Sequence, residues 1–69
     1  MKIQISILNE FGEFKGEILE VTIDQYKNIT ELSKNFYETG GFEMECEDDG
    51  FIIFPPDIIK KSILKIKAL

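Results

Sequence analysis

The sequence contains no Trp and no His, and its basic residues are all Lys because Arg is absent. Without Arg, the chain cannot make the paired hydrogen bonds to a phosphate, a carboxylate or a guanine edge that specific recognition most often uses. Without His, it lacks the side chain that most often transfers protons at neutral pH and the commonest nitrogen ligand for zinc or copper. We therefore expect no enzymatic activity, no metal or other cofactor and no direct contact with nucleic acid.

Cysteine is nearly absent as well, since Cys46 is the single one. A lone cysteine cannot form an internal disulfide, so the sequence gives no sign of an oxidising compartment. Cys46 alternates with Phe42 and Met44, which predicts a small buried hydrophobic residue on the inner face of a strand. Its acidic neighbours Glu45 and Glu47 oppose formation of a reactive thiolate, so we expect no nucleophilic catalysis.

Long apolar runs are missing too. No segment approaches the roughly 18 apolar residues that a transmembrane helix needs, and residues 1–8 lack the apolar core and cleavage site of a signal peptide. We therefore expect a cytoplasmic protein that makes no contact with a membrane. The abundance of Ile, Lys and Glu beside a single Ala favours an AT-rich genome, such as that of a low-GC bacterium or one of its phages.

The chain has 69 residues, which leaves room for one domain with one hydrophobic core. Isoleucine alternates with polar residues over 2–8, which predicts a half-buried first strand. A turn at 9–12 leads to a second strand near 17–23. The register of this first hairpin stays open, because Gly16 could form a bulge that reverses every side chain beyond it.

A helix is predicted after the first hairpin. Asp24 is a suitable N-cap, and Gly40 suits the left-handed position that follows a helix. A helix of about 14 residues is marginally stable alone, so its apolar stripe should pack on the sheet. The residues of that stripe are Tyr26, Ile29, Leu32 and Phe36.

The second half of the chain predicts another hairpin and a final strand. Residues 42–47 alternate strictly between apolar and acidic, Asp48-Asp49-Gly50 is a turn sequence, and 51–54 is the return strand. One short helical turn at 56–61 follows. The last strand, 63–68, should direct Leu64, Ile66 and Ala68 inward.

The resulting order is β-β-α-β-β-(helical turn)-β. This order predicts a small α+β domain over residues 1–69, with one helix packed on a mainly antiparallel sheet. A small SH3-like barrel with an inserted helix is the alternative, because such barrels commonly carry a helical turn between their last two strands.

The formal net charge is −5, and seven of the acidic residues lie between positions 35 and 59, where there is no Lys. The outer face of the second hairpin carries these glutamates together with apolar residues. If the loop has two residues, Glu47 faces Ile52 and Glu45 faces Phe54; if it has three, their partners are Phe51 and Ile53. One helix cannot cover both faces of the sheet, which makes this outer face a candidate protein-binding surface. Its candidate residues are Glu43, Glu45, Glu47, Asp48, Ile52 and Phe54.

Two explanations of the crowded glutamates remain open. Lys65 and Lys67, which face outward on the last strand, could lie beside them as cross-strand ion pairs. Alternatively, the glutamates and their apolar neighbours could form a docking face for a basic partner. A calcium site of the EF-hand type does not fit, because Pro56 stands where the ligand glutamate would be required.

The sequence therefore predicts a small acidic protein-interaction domain that regulates or inhibits a larger partner with a basic surface. One alternative is a structural subunit that assembles with copies of itself. The other is a binder of a small anionic ligand through the lysines near the end of the chain, Lys60, Lys61, Lys65 and Lys67.

Overall fold

The computed structural model describes residues 1–38, 40–46 and 48–69. Its element order confirms the predicted α+β arrangement. The strands form two antiparallel sheets, one with the order β2-β1-β5 and the other with the order β3-β4. The elements are β1 (Lys2–Asn9), β2 (Gly12–Glu20), α1 (Ile23–Ser33), a 3-10 turn (Phe36–Glu38), β3 (Phe42–Glu45), β4 (Phe51–Phe54), α2 (Pro56–Ile59) and β5 (Ile63–Ala68).

Strand β1 is the centre of the three-stranded sheet. On one side Ile7 pairs with Phe14 of β2, and on the other side it pairs with Leu64 of β5. Residues paired across antiparallel strands point to the same face of the sheet. The alternating apolar residues of the three strands therefore form one apolar inner face. The predicted inward residues of β5 are confirmed for Leu64 and Ile66, which are half-buried and pair with Ile7 and Ile5, whereas Ala68 pairs with Ile3 but is exposed at the end of the strand.

A bulge at Gly16 joins the two sheets. The register of β1 and β2 shifts between the pairs Gln4–Ile18 and Ser6–Lys15, so β2 carries one extra residue there. At this bulge, Gly16 forms an isolated antiparallel bridge with Cys46. A Cβ atom on Gly16 would lie 2.9 Å from the Met44 sulfur, so the close approach of the sheets requires a residue without a side chain.

The hydrophobic core lies between the inner faces of the two sheets. Ile7 comes from the three-stranded sheet, Met44 and Phe54 from the hairpin, and Phe36 and Ile59 from the helical turns. This arrangement has two layers of strands, and one isolated bridge is found between them within the described residues. The barrel alternative would require a more continuous junction than this.

Helix α1 begins two residues earlier than predicted. The Thr22 hydroxyl accepts a hydrogen bond from the Gln25 amide at 3.1 Å, and the Gln25 side chain accepts one from the Thr22 amide at 2.9 Å. This capping box satisfies two backbone donors at once, so Thr22 is the N-cap and the choice of Asp24 was wrong. The helix ends at Ser33, and Phe36 belongs to the separate 3-10 turn.

The apolar stripe of α1 covers the sheet loosely. None of the residues of α1 is buried, and Leu32 is 76% exposed. A cavity of about 250 Å³ remains between the helix and the sheet, and Ile29, Leu32 and Phe36 line its helical side. Within the predicted stripe, Phe36 is the residue that enters the core.

Candidate protein-binding surface

The second hairpin has a register that neither sequence-based option gave. Glu45 pairs with Phe51 and Glu43 pairs with Ile53. Next to the Glu45–Phe51 pair, on the side of the turn, the Cys46 amide donates a hydrogen bond to the Gly50 carbonyl at 2.7 Å. The left-handed residue of the turn is Asp49, with φ = 64°, rather than Gly50. Asp tolerates the left-handed conformation because its short polar side chain can form hydrogen bonds with nearby backbone groups. With Asp49 rather than Gly50 in this position, the pairing of β3 and β4 is shifted from both predicted registers.

In this register, the apolar residues that face outward on β4 are not the two that were predicted for the candidate surface. Phe54 is 4% exposed and belongs to the core, and Ile52 is half-buried against the same core. Their assignment to the outer face was therefore wrong. Phe51 and Ile53 stand outward instead, with 65% and 74% of their surfaces exposed.

The acidic residues of the surface come from both sheets. Glu43 and Glu45 are exposed on β3, and Asp48 is exposed in the turn, while Glu47 lies outside the described residues. Glu17 joins them from the bulge in β2, where its side chain lines a shallow hollow together with Glu45, Asp49 and Phe51. Glu17 was not among the predicted residues, although a bulge at Gly16 would change the face of the next residue.

The Glu17 carboxyl interacts directly with a second carboxyl. A side-chain hydrogen bond to Glu45 raises the pKa of Glu17, and the negative charges of Glu45 and Asp49 raise this pKa further, together with a contribution from desolvation. A hydrogen bond between two carboxyl groups requires one of them to hold a proton. This part of the surface is therefore an electrostatically unfavourable site that has no lysine among the residues lining the hollow.

We call this surface the acidic hairpin face. It combines carboxylates contributed by two sheets with a pair of exposed apolar side chains on β4. Its residues are Glu17, Glu43, Glu45, Asp49, Phe51 and Ile53. The predicted member Asp48 is left out, because it lines a different hollow together with Glu13 and Lys15.

Of the two explanations for the crowded glutamates, cross-strand pairing with Lys65 and Lys67 is wrong for Glu43 and Glu45. Strand β5 pairs with β1, whereas β3 pairs with β4, so lysines and glutamates belong to different sheets. The Lys65 ammonium lies 3.6 Å from a carboxylate oxygen of Glu13 on the outer face of the three-stranded sheet. No strand pairing therefore brings a C-terminal lysine beside these glutamates.

The lysines proposed as an anion site are divided between two elements. Lys60 and Lys61 are exposed at the end of α2, and their amides bond to the carbonyls of Pro56 and Ile58. Lys65 and Lys67 lie on β5. The structure does not gather the four ammonium groups around one hollow that it describes.

Several other expectations concern chemistry and membranes. Cys46 is buried, as the sequence predicted. Across the described ranges, no three His, Cys, Asp or Glu residues are grouped so that they could hold a metal ion. Among the helices of those same ranges, none has the length and apolar character needed to cross a membrane.

Comparisons of the chain with protein-family models, with curated proteins and with solved structures find no match.

Proposed function

We propose that this chain is a small cytoplasmic protein-interaction domain whose acidic hairpin face docks on a basic surface of a larger protein and regulates or inhibits that protein. The observation that carries the proposal is the pairing of exposed Phe51 and Ile53 with Glu45 and Glu43 in adjacent strands. This pairing places two apolar anchors directly beside two carboxylates.

The apolar half of the surface supplies the driving force for binding. Phe51 and Ile53 are two positions apart on β4, so their side chains project from the same face. Complete burial of a side chain of this size contributes about 1.5–3 kcal/mol. An apolar centre surrounded by polar groups is the usual anatomy of a protein interface.

The acidic half of the surface selects the partner. The repulsion that raises the pKa of Glu17 would be relieved by a Lys or Arg side chain placed between Glu17 and Glu45. A field of this sign also accelerates the encounter with a basic surface. The described ion pairs lie elsewhere, at Lys34–Glu31 on α1 and at Lys65–Glu13.

A titration with defined peptides tests the binding step. The probe is an extended peptide in which Lys and Leu alternate, and its control has Glu in place of Lys. We expect the basic peptide to shift the backbone amide resonances of β3 and β4, and the acidic peptide to leave them unchanged. Resonance shifts spread evenly over the molecule, or no shift at about 1 mM peptide, would refute the proposal.

Matched variants test which residues bind. Glu43→Gln with Glu45→Gln should weaken binding of the basic peptide at least about tenfold, as should Phe51→Ser with Ile53→Ser. The control, Glu10→Gln with Glu38→Gln, removes the same charge from two other exposed positions and should bind like the wild type. Equal weakening by the control would show that net charge, rather than this face, determines the binding.

The regulatory role needs the natural partner. Proteins captured from source cells by the wild type and by the control, but not by either variant of the acidic hairpin face, are the candidates. We expect the activity of the true partner to change when wild-type protein is added and to stay unchanged with the face variants. A captured partner whose activity responds equally to all four proteins would contradict the regulatory role.

A further inference from the structure

A second charged surface lies on the outer face of the three-stranded sheet. Lys15 of β2 and Lys65 of β5 both pair with Ser6 of β1, and Lys67 pairs with Gln4. Strand alternation places these side chains on the face opposite to the core. Ile18 and Ile63 are exposed on the same face. We call it the basic sheet face, and its residues are Lys2, Lys15, Lys65, Lys67, Ile18 and Ile63, with Glu13 and Glu20 among them.

The basic sheet face and the acidic hairpin face are the outer sides of two different sheets. The inner faces of the two sheets enclose the core, where Phe14 of β2 contacts Phe54 of β4 edge to face with ring centroids 5.5 Å apart. The two outer sides meet at the junction of β2 and β3, where Lys15 and Asp48 line one hollow. Among the described residues, the ion pairs are Lys34–Glu31 and Lys65–Glu13, and neither joins the two faces.

The spacing of charges is the same on both faces. Glu43 and Glu45 are two positions apart on β3, and Lys65 and Lys67 are two positions apart on β5. In an extended strand, this separation is about 7 Å. Each face also carries exposed apolar residues, Phe51 and Ile53 side by side on β4 and Ile18 and Ile63 on the two outer strands of the other sheet, so the two surfaces are complementary in charge and both partly apolar.

We propose that the acidic hairpin face of one copy docks on the basic sheet face of a second copy. This inference rests on the proposed function in so far as both use the acidic hairpin face as a docking surface, for which a second copy and a foreign partner compete. Because the contact joins two different patches of the chain, it is heterologous, that is head-to-tail, and each added copy leaves one face of each kind free. Association therefore adds further copies rather than stopping at a dimer.

The contact is small and charged, which determines how it should be measured. The hairpin has four residues in each strand, so its outer face covers far less than a stable interface needs. We expect weak association that becomes visible at about 1 mM protein. Ionic screening should abolish it, since its charges are exposed.

Sedimentation velocity of the purified chain tests the assembly. We expect the weight-average mass to rise with concentration at about 10 mM salt and to return to that of a monomer at about 1 M salt. A chain that sediments as a monomer at every concentration in low salt would overturn the inference. A closed dimer that is insensitive to salt would overturn it too.

Exchanging the charges tests the two faces. The first variant is Glu43→Lys with Glu45→Lys, and the second is Lys65→Glu with Lys67→Glu. Each alone should stay monomeric, because its two faces carry the same charge, whereas an equimolar mixture should associate. A third variant, Lys67→Glu alone, keeps the Lys65–Glu13 ion pair and should weaken association without disturbing the sheet.

A control separates local charge from net charge. Glu10→Lys with Glu38→Lys changes the net charge as much as the first variant does, and it should still associate like the wild type. Loss of association in this control, or no association in the mixture, would refute the head-to-tail contact. If the chain binds the basic peptide but stays strictly monomeric, the assembly is refuted and the proposed function stands. If the chain assembles but does not bind the peptide, the proposed function is refuted and the assembly stands.

Discussion

Gly16→Ala adds one methyl group at the bridge between the two sheets. The new Cβ atom would lie 2.9 Å from the Met44 sulfur and 3.0 Å from the Ile5 carbonyl oxygen. The Met44 side chain can move, but the Ile5 carbonyl belongs to the central strand and can move only if β1 deforms. We therefore expect the hairpin and the three-stranded sheet to be forced apart at this point.

The cost follows from two opposing effects. Inserting a methyl group into a filled site costs about 1–3 kcal/mol, whereas replacing Gly by Ala restricts the unfolded chain and returns about 0.4–1 kcal/mol. The net free energy of unfolding should therefore fall by about 1 kcal/mol, within limits of about 0 and 2.6 kcal/mol. Domains of this size have roughly 3–5 kcal/mol in total, and each kcal/mol corresponds to about 4–8 °C in Tm.

Urea unfolding followed by far-ultraviolet circular dichroism measures the change. The matched control is Gly40→Ala, because Gly40 is exposed and a Cβ atom there would meet no atom within 4 Å. Met44→Ala added to Gly16→Ala should cost less than Met44→Ala alone, since it removes the sulfur that the new methyl group meets. If the free energies of unfolding of Gly16→Ala and Gly40→Ala differ by less than about 0.5 kcal/mol, the predicted steric clash at Gly16 is refuted.

Three further predictions concern the cap, the acidic residues and the hairpin register. Thr22→Ala removes the capping box and should lower the free energy of unfolding by about 1 kcal/mol, and an unchanged urea midpoint would contradict the assigned cap. Because the pKa of Glu17 is raised above its usual 4.5, its contribution to stability is present below that value and is lost as pH rises through the raised pKa. As pH rises from about 4.5 through the raised pKa, the Tm of Glu17→Gln should therefore fall less than that of the wild type. Parallel plots of Tm against pH for the two proteins would refute the contact with Glu45. Phe54→Ala should cost about 3–5 kcal/mol and leave the domain largely unfolded without urea, whereas Phe51→Ala should cost less than about 0.5 kcal/mol in urea unfolding; the opposite order would show that the register is wrong.

The alternation of apolar and polar residues was sufficient to predict most of the fold. It identified the five strands, although β2 begins at Gly12 rather than near residue 17, and it assigned Leu64 and Ile66 of β5 to the inner face correctly because a period of two leaves little choice of face. The bulge at Gly16 was also visible, since a glycine within a strand pattern often marks one. The N-cap was misassigned although Thr22 and Gln25 have capping-box spacing, because Asp24 satisfies the simpler rule for an N-cap.

The candidate site was harder to predict because it depends on register and sheet order. Asp48-Asp49-Gly50 favours a turn with glycine in the left-handed position, but Asp49 takes this conformation, and Phe51 thereby replaces Phe54 as an outward side chain. The partner of Lys65 depends on which strand lies beside β5, which local sequence does not encode. Glu17 joined the site through contact between two sheets that are distant in sequence.

The position of β1 also has a consequence for folding kinetics. Ile3 pairs with Ala68, so the first and last strands of the chain are neighbours in the same sheet. Closing nearly the whole chain into a loop costs entropy before any of these contacts forms. We therefore expect folding in milliseconds to seconds rather than microseconds, with the pairing of β1 and β5 among the last events.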